Sequence, residues 1–373
     1  MASKATKDHM RVAIDMQTTQ GQKTGFGFYV QNLVRNLERI DRKHQYLKLY
    51  AHGEGDFNST KRWWWDQVQV PRLANALKAD ILHQPAFSAP AFFHGPTVVT
   101  VHDLIAIHFE QDIPLGSRLY FGKWMPFSYR FADHMIVISE HTKQDVMELL
   151  GIPEEQLTVI YEAVDTVFRP VVDKEQLERV RKKYGTGEKF LLHVGTLNPR
   201  KNLEFLVKVF AEVRKKVRAD WKLVITGKKG WYYEGLFDAV RALGLERSVI
   251  FTGYVDDHDK PLLYNAASIF TFPSLYEGAG LPPLEAMSCG VPTVSSDTSS
   301  LPEMVGAGGI LLSPTDMAGW TKALVSLMTD ALLRREIGGR GRKQARRFSW
   351  ERTARETIRV YERVHRAYHT TKH

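Results

Sequence analysis

Two periodicities alternate along the chain. Short runs rich in Val, Ile, Leu, Phe and Thr read as strands at Arg11–Met16, Leu47–Tyr50, Ile81–His83, Thr97–His102, His134–Ser139 and Thr158–Ile160. Between them, stretches such as Gly27–Arg39 and His141–Leu150 return an apolar residue every three or four positions, the spacing of one helix face. The scheme then repeats. Strands are predicted at Phe190–Val194, Lys222–Thr226, Val249–Thr252, Ser268–Phe272, Thr293–Ser295 and Ile310–Leu312, with helices at Asn202–Val217, Glu234–Leu243, Lys260–Ala266, Pro283–Cys289 and Met317–Met328. Strands that alternate with helices predict parallel sheets covered on both faces. Twelve strands divide more naturally into two sheets than into one.

The predicted fold class is therefore α/β, with two Rossmann-like domains whose parallel sheets face an interdomain cleft. Open sheets of this kind hold ligands at the carboxyl ends of their strands. The proline of "FRPVVDK" (Phe168–Lys174) marks the boundary, giving domains 1–169 and 170–348. The remainder, 349–373, reads as an amphipathic helix with Ile358, Tyr361, Val364 and Tyr368 on one face.

A length of 373 residues with 43% hydrophobic and 25% charged positions suits two or three globular domains and excludes disorder. The lone cysteine, Cys289, excludes an intramolecular disulfide framework and an all-cysteine metal site, and fits a reducing, cytoplasmic setting. The basic start MASKATKDH is not followed by a signal-type apolar run. The longest stretch without Asp, Glu, Lys or Arg, Ile81–His102, carries three prolines, so no spanning helix is predicted. The net charge of +9 permits an anionic partner without naming one. Most of it lies in 334–366, where twelve cations face four acids.

The most informative segment is "YEGAGLPPLEAMSCGVP" (Tyr276–Pro292), between a predicted strand and a predicted helix. Gly278 and Gly280 let a ligand approach the backbone, and Pro283 suits a first helical turn. The free N–H groups of that turn favour an anion. Glu277 and Glu285 bracket it. Carboxylates beside an anion site make sense when they accept hydrogen bonds from hydroxyls of the same ligand, the layout of a nucleotide sugar. The plainer reading is a tight turn with two solvated glutamates. Arg200 and Lys201 follow the strand Phe190–Val194, with Asn202 as the expected helix N-cap. Cations there oppose the helix dipole and point instead to a bound anion. His102 and Asp103 end the strand Thr97–His102. A strand-end histidine is otherwise a hydrogen-bonded structural residue.

The Glu-x7-Glu segment, with "VGTLNPRKNL" (Val194–Leu203), "GYV" (Gly253–Val255), "VHDL" (Val101–Leu104) and "TGFGFYV" (Thr24–Val30) in that family's order, resembles the retaining glycosyltransferases of GT-B fold, specifically glycosyltransferase family 4. The resemblance covers nearly the whole chain. It implies transfer of a hexose, of mannose or glucose type, from a nucleotide-diphosphate sugar to an acceptor hydroxyl, with retention of configuration and without a metal. The acceptor would be carbohydrate, lipid-linked or a small molecule. By the same resemblance Glu285 holds the ribose hydroxyls, and Glu277 touches the transferred sugar near the reacting centre. Ala279, Gly280 and Leu281 line the sugar and phosphates, Arg200 and Lys201 clamp the diphosphate, and Val255 lies beside the base. His102 sits near the sugar, with Asp103 on the acceptor side. Gly25 and Gly27 approach the phosphates, and the C-terminal helix crosses back onto the first domain.

Two departures from the family pattern fall on the acceptor side. Phe28 stands where a basic residue is common, and Glu162-Ala163 where Asn-Gly is common. The family pattern supplies no protein nucleophile, so same-face attack assisted by the leaving phosphate is the expected mechanism. "KRWWWDQ" (Lys61–Gln67) reads either as a membrane-interface or sugar-stacking patch or as a segment packed on the sheet. The basic tail reads as the solvated face of a packed helix, the alternative being peripheral contact with anionic membrane at its inner face. No metal site is expected, because the histidines lack ligand spacing, and no nucleic-acid partner. Rival readings are a nucleotide-sugar epimerase of the same shape and a non-enzymatic basic scaffold.

Overall fold

The structure, a computed structural model, describes residues 9–21, 25–51, 55, 57–112 and 115–371. Residues 1–8 of the basic start and Thr24 of the "TGFGFYV" segment lie outside the described residues. The chain divides into two compact units, residues 1–162 with 349–373, and residues 163–348. The division falls ahead of the expected 169/170, because "FRPVVDK" packs with the second unit: Val171 N–H donates to Asn265 Oδ1 at 2.8 Å.

The first unit holds β1 (Arg11–Asp15), β2 (Gln45–Leu49), β3 (Ile81–Gln84), β4 (Thr97–Val101), β5 (His134–Val137) and β6 (Leu157–Val159), in the order β2-β1-β3-β4-β5-β6. The second holds β7 (Phe190–Val194), β8 (Lys222–Thr226), β9 (Val249–Gly253), β10 (Ile269–Phe272), β11 (Thr293–Ser296) and β12 (Ile310–Leu312), in the order β12-β11-β10-β7-β8-β9. The pairing is parallel throughout. The central strands are covered on both faces, which is why β4, β7 and β10 are buried at every position and do not alternate between buried and exposed.

The C-terminal helix, Trp350–Thr371, belongs to the first unit. Its apolar stripe (Trp350, Ala354, Tyr361, Val364) is buried; Trp350 meets Tyr29 of the helix Gly25–Ile40, and Tyr361 shares a 2.6 Å hydrogen bond with His83 of β3. Burial holds the His83 imidazole down at about 3, so it stays neutral. Several cations on the outer face are paired: Arg352 with Glu356, Arg355 with Glu351, and Arg363 with Thr158 Oγ1.

Candidate functional site

In the second unit the strand order reverses beside β7, whose neighbours are β8 on one side and β10 on the other. At such a switch point the loops leaving adjacent strands diverge and open a crevice. The loop after β7 carries Arg200 and Lys201; the loop after β10 carries Glu277. Asn198 shapes the first loop, its side chain capping a short turn over Pro199–Lys201 by accepting from Lys201 N–H at 3.3 Å. Asn202 does not cap the following helix, Leu203–Lys216, as the sequence suggests. It sits in the left-handed region (φ 55°), and its side chain donates to the Pro314 carbonyl at 2.9 Å.

The two loops meet in one ion cluster. Lys201 Nζ lies 2.5 Å from Glu277 Oε1, Arg200 Nη1 lies 2.9 Å from the same oxygen, and Ser274 Oγ donates to it at 2.5 Å. Arg200 also donates to the Tyr276 carbonyl. Lys201 and Glu277 are both buried. Burial pushes the Glu277 carboxyl up, but Lys201 and then Arg200 outweigh it and bring it down to about 2. Glu277 is therefore an anion that can accept a hydroxyl hydrogen bond and cannot serve as an acid at neutral pH. Behind the cluster, His193 is held at about 3 by burial and by Lys201, and stays neutral. At the edge of the crevice, a Cβ on Gly227 would lie 1.9 Å from the Gly195 carbonyl, so the loops after β7 and β8 touch only because that residue is glycine.

Glu285 sits in the helix Leu281–Ser288 and is buried. It accepts from Lys260 Nζ at 2.7 Å and from Tyr264 Oη at 2.7 Å. Each glutamate of the Glu-x7-Glu segment thus has its own lysine and neither is solvated, against the plainer reading of the segment. The helix starts at Gly280, in the left-handed region (φ 67°), with no side chain capping the first turn. A Cβ there would also strike Leu301 at 2.7 Å. Ala279 is buried and Leu281 half-buried beside this start. Val255 is buried in the apolar cluster with Leu262 and Leu263.

In the first unit, His102 follows β4 directly and is buried. Its Nδ1 lies 2.8 Å from Glu162 Oε1 and its Nε2 2.8 Å from the Pro85 carbonyl. A carbonyl can only accept, so Nε2 carries a proton; the Glu162 carboxylate facing Nδ1 also accepts, so the pairing favours the ring protonated on both nitrogens. Burial lowers the imidazole, but Glu162 more than restores it, leaving His102 above its usual value. Asp103 is half-buried and accepts from Ile105 N–H at 3.0 Å. Gly25, exposed, and Gly27, buried, open the helix Gly25–Ile40. Glu162, which the sequence offers only as a departure from a family pattern, is the carboxylate that pairs with His102.

A second network was also hidden in the sequence. Arg62 of "KRWWWDQ" is buried between Asp15, at the end of β1, and Asp66. Gln84, Ser88 and Tyr120 complete the hydrogen bonds of those carboxylates. The tryptophans divide: Trp65 donates to Asp15, while Trp63 and Trp64 are exposed. Among the described residues, no group of three or more His, Cys, Asp or Glu is arranged to hold a metal.

Residues 25–168 match the family described as Glycosyltransferase Family 4, and residues 174–344 the family described as Glycosyl transferases group 1. The chain is similar to O-antigen chain mannosyltransferase B of Escherichia coli, 32% identical over 75% of this chain and 74% of that one. It is also similar to the serotype-specific mannosyltransferase WbdA of E. coli, 34% identical over 72% of this chain and 33% of the relative, so it spans about a third of WbdA's length. Among solved structures, the sucrose-phosphate synthase of Thermosynechococcus elongatus superposes with TM-score 0.73 at 20% identity, over 96% of this chain and 100% of that one. Anabaena HepE in complex with UDP-glucose superposes with TM-score 0.71 at 19% identity, over 95% and 100%.

Proposed function

Taking as premise that the chain belongs to the family 4 glycosyltransferases of GT-B fold, we propose that it moves a hexose from a nucleotide-diphosphate sugar to an acceptor hydroxyl with retention of configuration. The observation that carries this reading is the convergence of Arg200 and Lys201 on Glu277 at the switch point of the second unit. A leaving diphosphate gains negative charge as the glycosidic bond lengthens, and fixed cations favour that state over the ground state. Two cations and an uncapped helix start supply the charge without a metal ion. Glu277 then orients a sugar hydroxyl, and Glu285 the ribose hydroxyls.

Glu277 Oε1 already receives three donors, which makes it a poor nucleophile. This supports same-face attack in which a β-phosphate oxygen takes the acceptor's proton, over a double displacement. The mannosyltransferase relatives favour mannose as the transferred sugar, and HepE's UDP-glucose keeps glucose as the competing choice. The acceptor is a carbohydrate hydroxyl, free or lipid-linked. The buried single thiol of Cys289 fits a cytoplasmic setting.

A thermal-shift screen with UDP, GDP, ADP and TDP tests the donor site. A nucleotide at 100 times its Kd stabilises by about 2.7 kcal/mol, and Glu285→Ala should abolish that shift. Product anomers read by NMR with the responding donor then decide retention. An inverted anomer, or a sugar covalently trapped on Glu277, overturns the mechanism.

A further inference from the structure

One surface of the first unit takes no part in the chemistry above. The helical segment from Leu115 to Phe131 turns Leu119, Lys123, Phe127 and Arg130 outward at spacings of four and three. Leu119 is 74% exposed, Phe127 50% and Phe131 39%. The helix Ser59–Trp64 adds Trp63 at 39% and Trp64 at 53%. The rings form a continuous line, with Trp63 5.9 Å from Trp124, Trp124 6.0 Å from Phe127, and Phe127 5.7 Å from Phe131. They border a groove of about 730 Å³ whose lining among the described residues is Trp63, Leu119, Trp124 and Phe127 with the more polar Lys123, Ser59, Thr60 and Tyr120. An apolar surface this continuous seldom stays solvated without a role.

Charge identifies the occupant. Residues 115–132 hold Arg118, Lys123 and Arg130 and no acid, and residues 57–65 hold the exposed Lys61 and no acid, Arg62 being buried against Asp15 and Asp66. The adjoining Asp66 is fully buried and paired with Arg62. A two-fold contact with a second copy would set these cations against themselves, because such an interface uses the same patch twice. A sugar laid on the rings would lack carboxylates for its hydroxyls. Tryptophan, phenylalanine and leucine ringed by lysine and arginine are the composition of an interfacial surface, with rings at the headgroup level and cations on lipid phosphates. We propose that this aromatic face of the first unit docks on an anionic phospholipid bilayer. The basic C-terminal helix is not the contact, since several of its cations are spent on intramolecular partners.

The full chain is floated with vesicles of phosphatidylcholine alone and with vesicles that also contain phosphatidylglycerol. Wild type should partition to the mixed vesicles in a salt-sensitive way. Leu119→Ser with Phe127→Ser should weaken partitioning roughly tenfold or more, and Lys123→Glu by about fivefold or more. These positions are exposed, so circular dichroism melts should match wild type, and Lys123→Glu tests the idea without touching an apolar residue. Arg359→Glu with Arg366→Glu in the C-terminal helix should leave partitioning near wild type. Three results overturn the proposal: no partitioning, partitioning indifferent to the patch variants, or loss confined to the helix variants. A fourth is a concentration-dependent dimer in ultracentrifugation that Leu119→Ser with Phe127→Ser dissolves, which would make the face a contact between copies.

Discussion

Replacing Glu277 by Gln tests the electrostatic design of the site at its centre. The carboxyl sits at about 2 against an ordinary 4.5. That difference, at 1.36 kcal/mol for each tenfold step, corresponds to about 3 kcal/mol of stability in the ionised site. Gln keeps the shape but leaves Lys201 buried without its counter-charge, a loss of the same order. The sign follows from a carboxyl depressed by folding. The stabilisation is complete above the unfolded value near 4.5 and disappears as pH falls through the folded value near 2. Between pH 6 and pH 3.5 the advantage of wild type over Glu277→Gln should therefore shrink by about 1.4 kcal/mol.

Urea unfolding read by hydrogen exchange on peptides from β7 and the helix Leu281–Ser288 isolates the second unit from the first. A saturating nucleoside diphosphate should restore part of the variant's loss, since its phosphates give Lys201 a new partner. If the two proteins differ by less than about 1 kcal/mol at pH 7, or by an amount that does not change down to pH 3.5, the cluster does not hold the site together as described.

Three further outcomes are expected. Lys201→Met should weaken nucleoside-diphosphate binding roughly tenfold to a hundredfold in calorimetry, the worth of one charge-assisted hydrogen bond, and should lower kcat further because the cation serves the leaving group. Glu162→Gln should bring the His102 imidazole down from its raised value, and the change is readable as an earlier titration of its ring proton by NMR. Because folding raises that imidazole, its stabilising pair is present at low pH and fades as pH rises through the folded value; the variant should lose that pH dependence. Gly280→Ala should cost about 1–3 kcal/mol in thermal unfolding, since alanine must adopt a left-handed backbone and displace Leu301.

The sheets were legible because buried parallel strands are short, mostly apolar runs: β7 and β8 fall where the sequence puts them. The helix Lys174–Tyr184 was not, because its apolar face is only Leu177, Val180 and Tyr184 in a segment otherwise polar, with Val180 alone fully buried. Its legible marks are the caps, Asp173 before it and left-handed Gly185 after it. In the site, Glu277, Glu285, Arg200 and Lys201 were readable as types at a spacing. Their partnering was not, since Lys201 and Glu277 stand 76 residues apart and meet only because β7 and β10 are neighbours. Arg62 shows the same limit more sharply. Beside three tryptophans it looks like a surface cation, yet it closes a buried triad whose Asp15 lies 47 residues away.

The first unit is assembled from two stretches of chain with the whole second unit between them, and this order has a consequence for synthesis. Residues 163–348 leave the ribosome as one uninterrupted block and can fold at once. The first unit, although translated earlier, must wait for Trp350–Thr371 before Tyr29 and His83 find Trp350 and Tyr361. A stalled or nonsense-truncated product should therefore carry a finished second unit beside an unfinished, sticky first one, and be a natural client of chaperones.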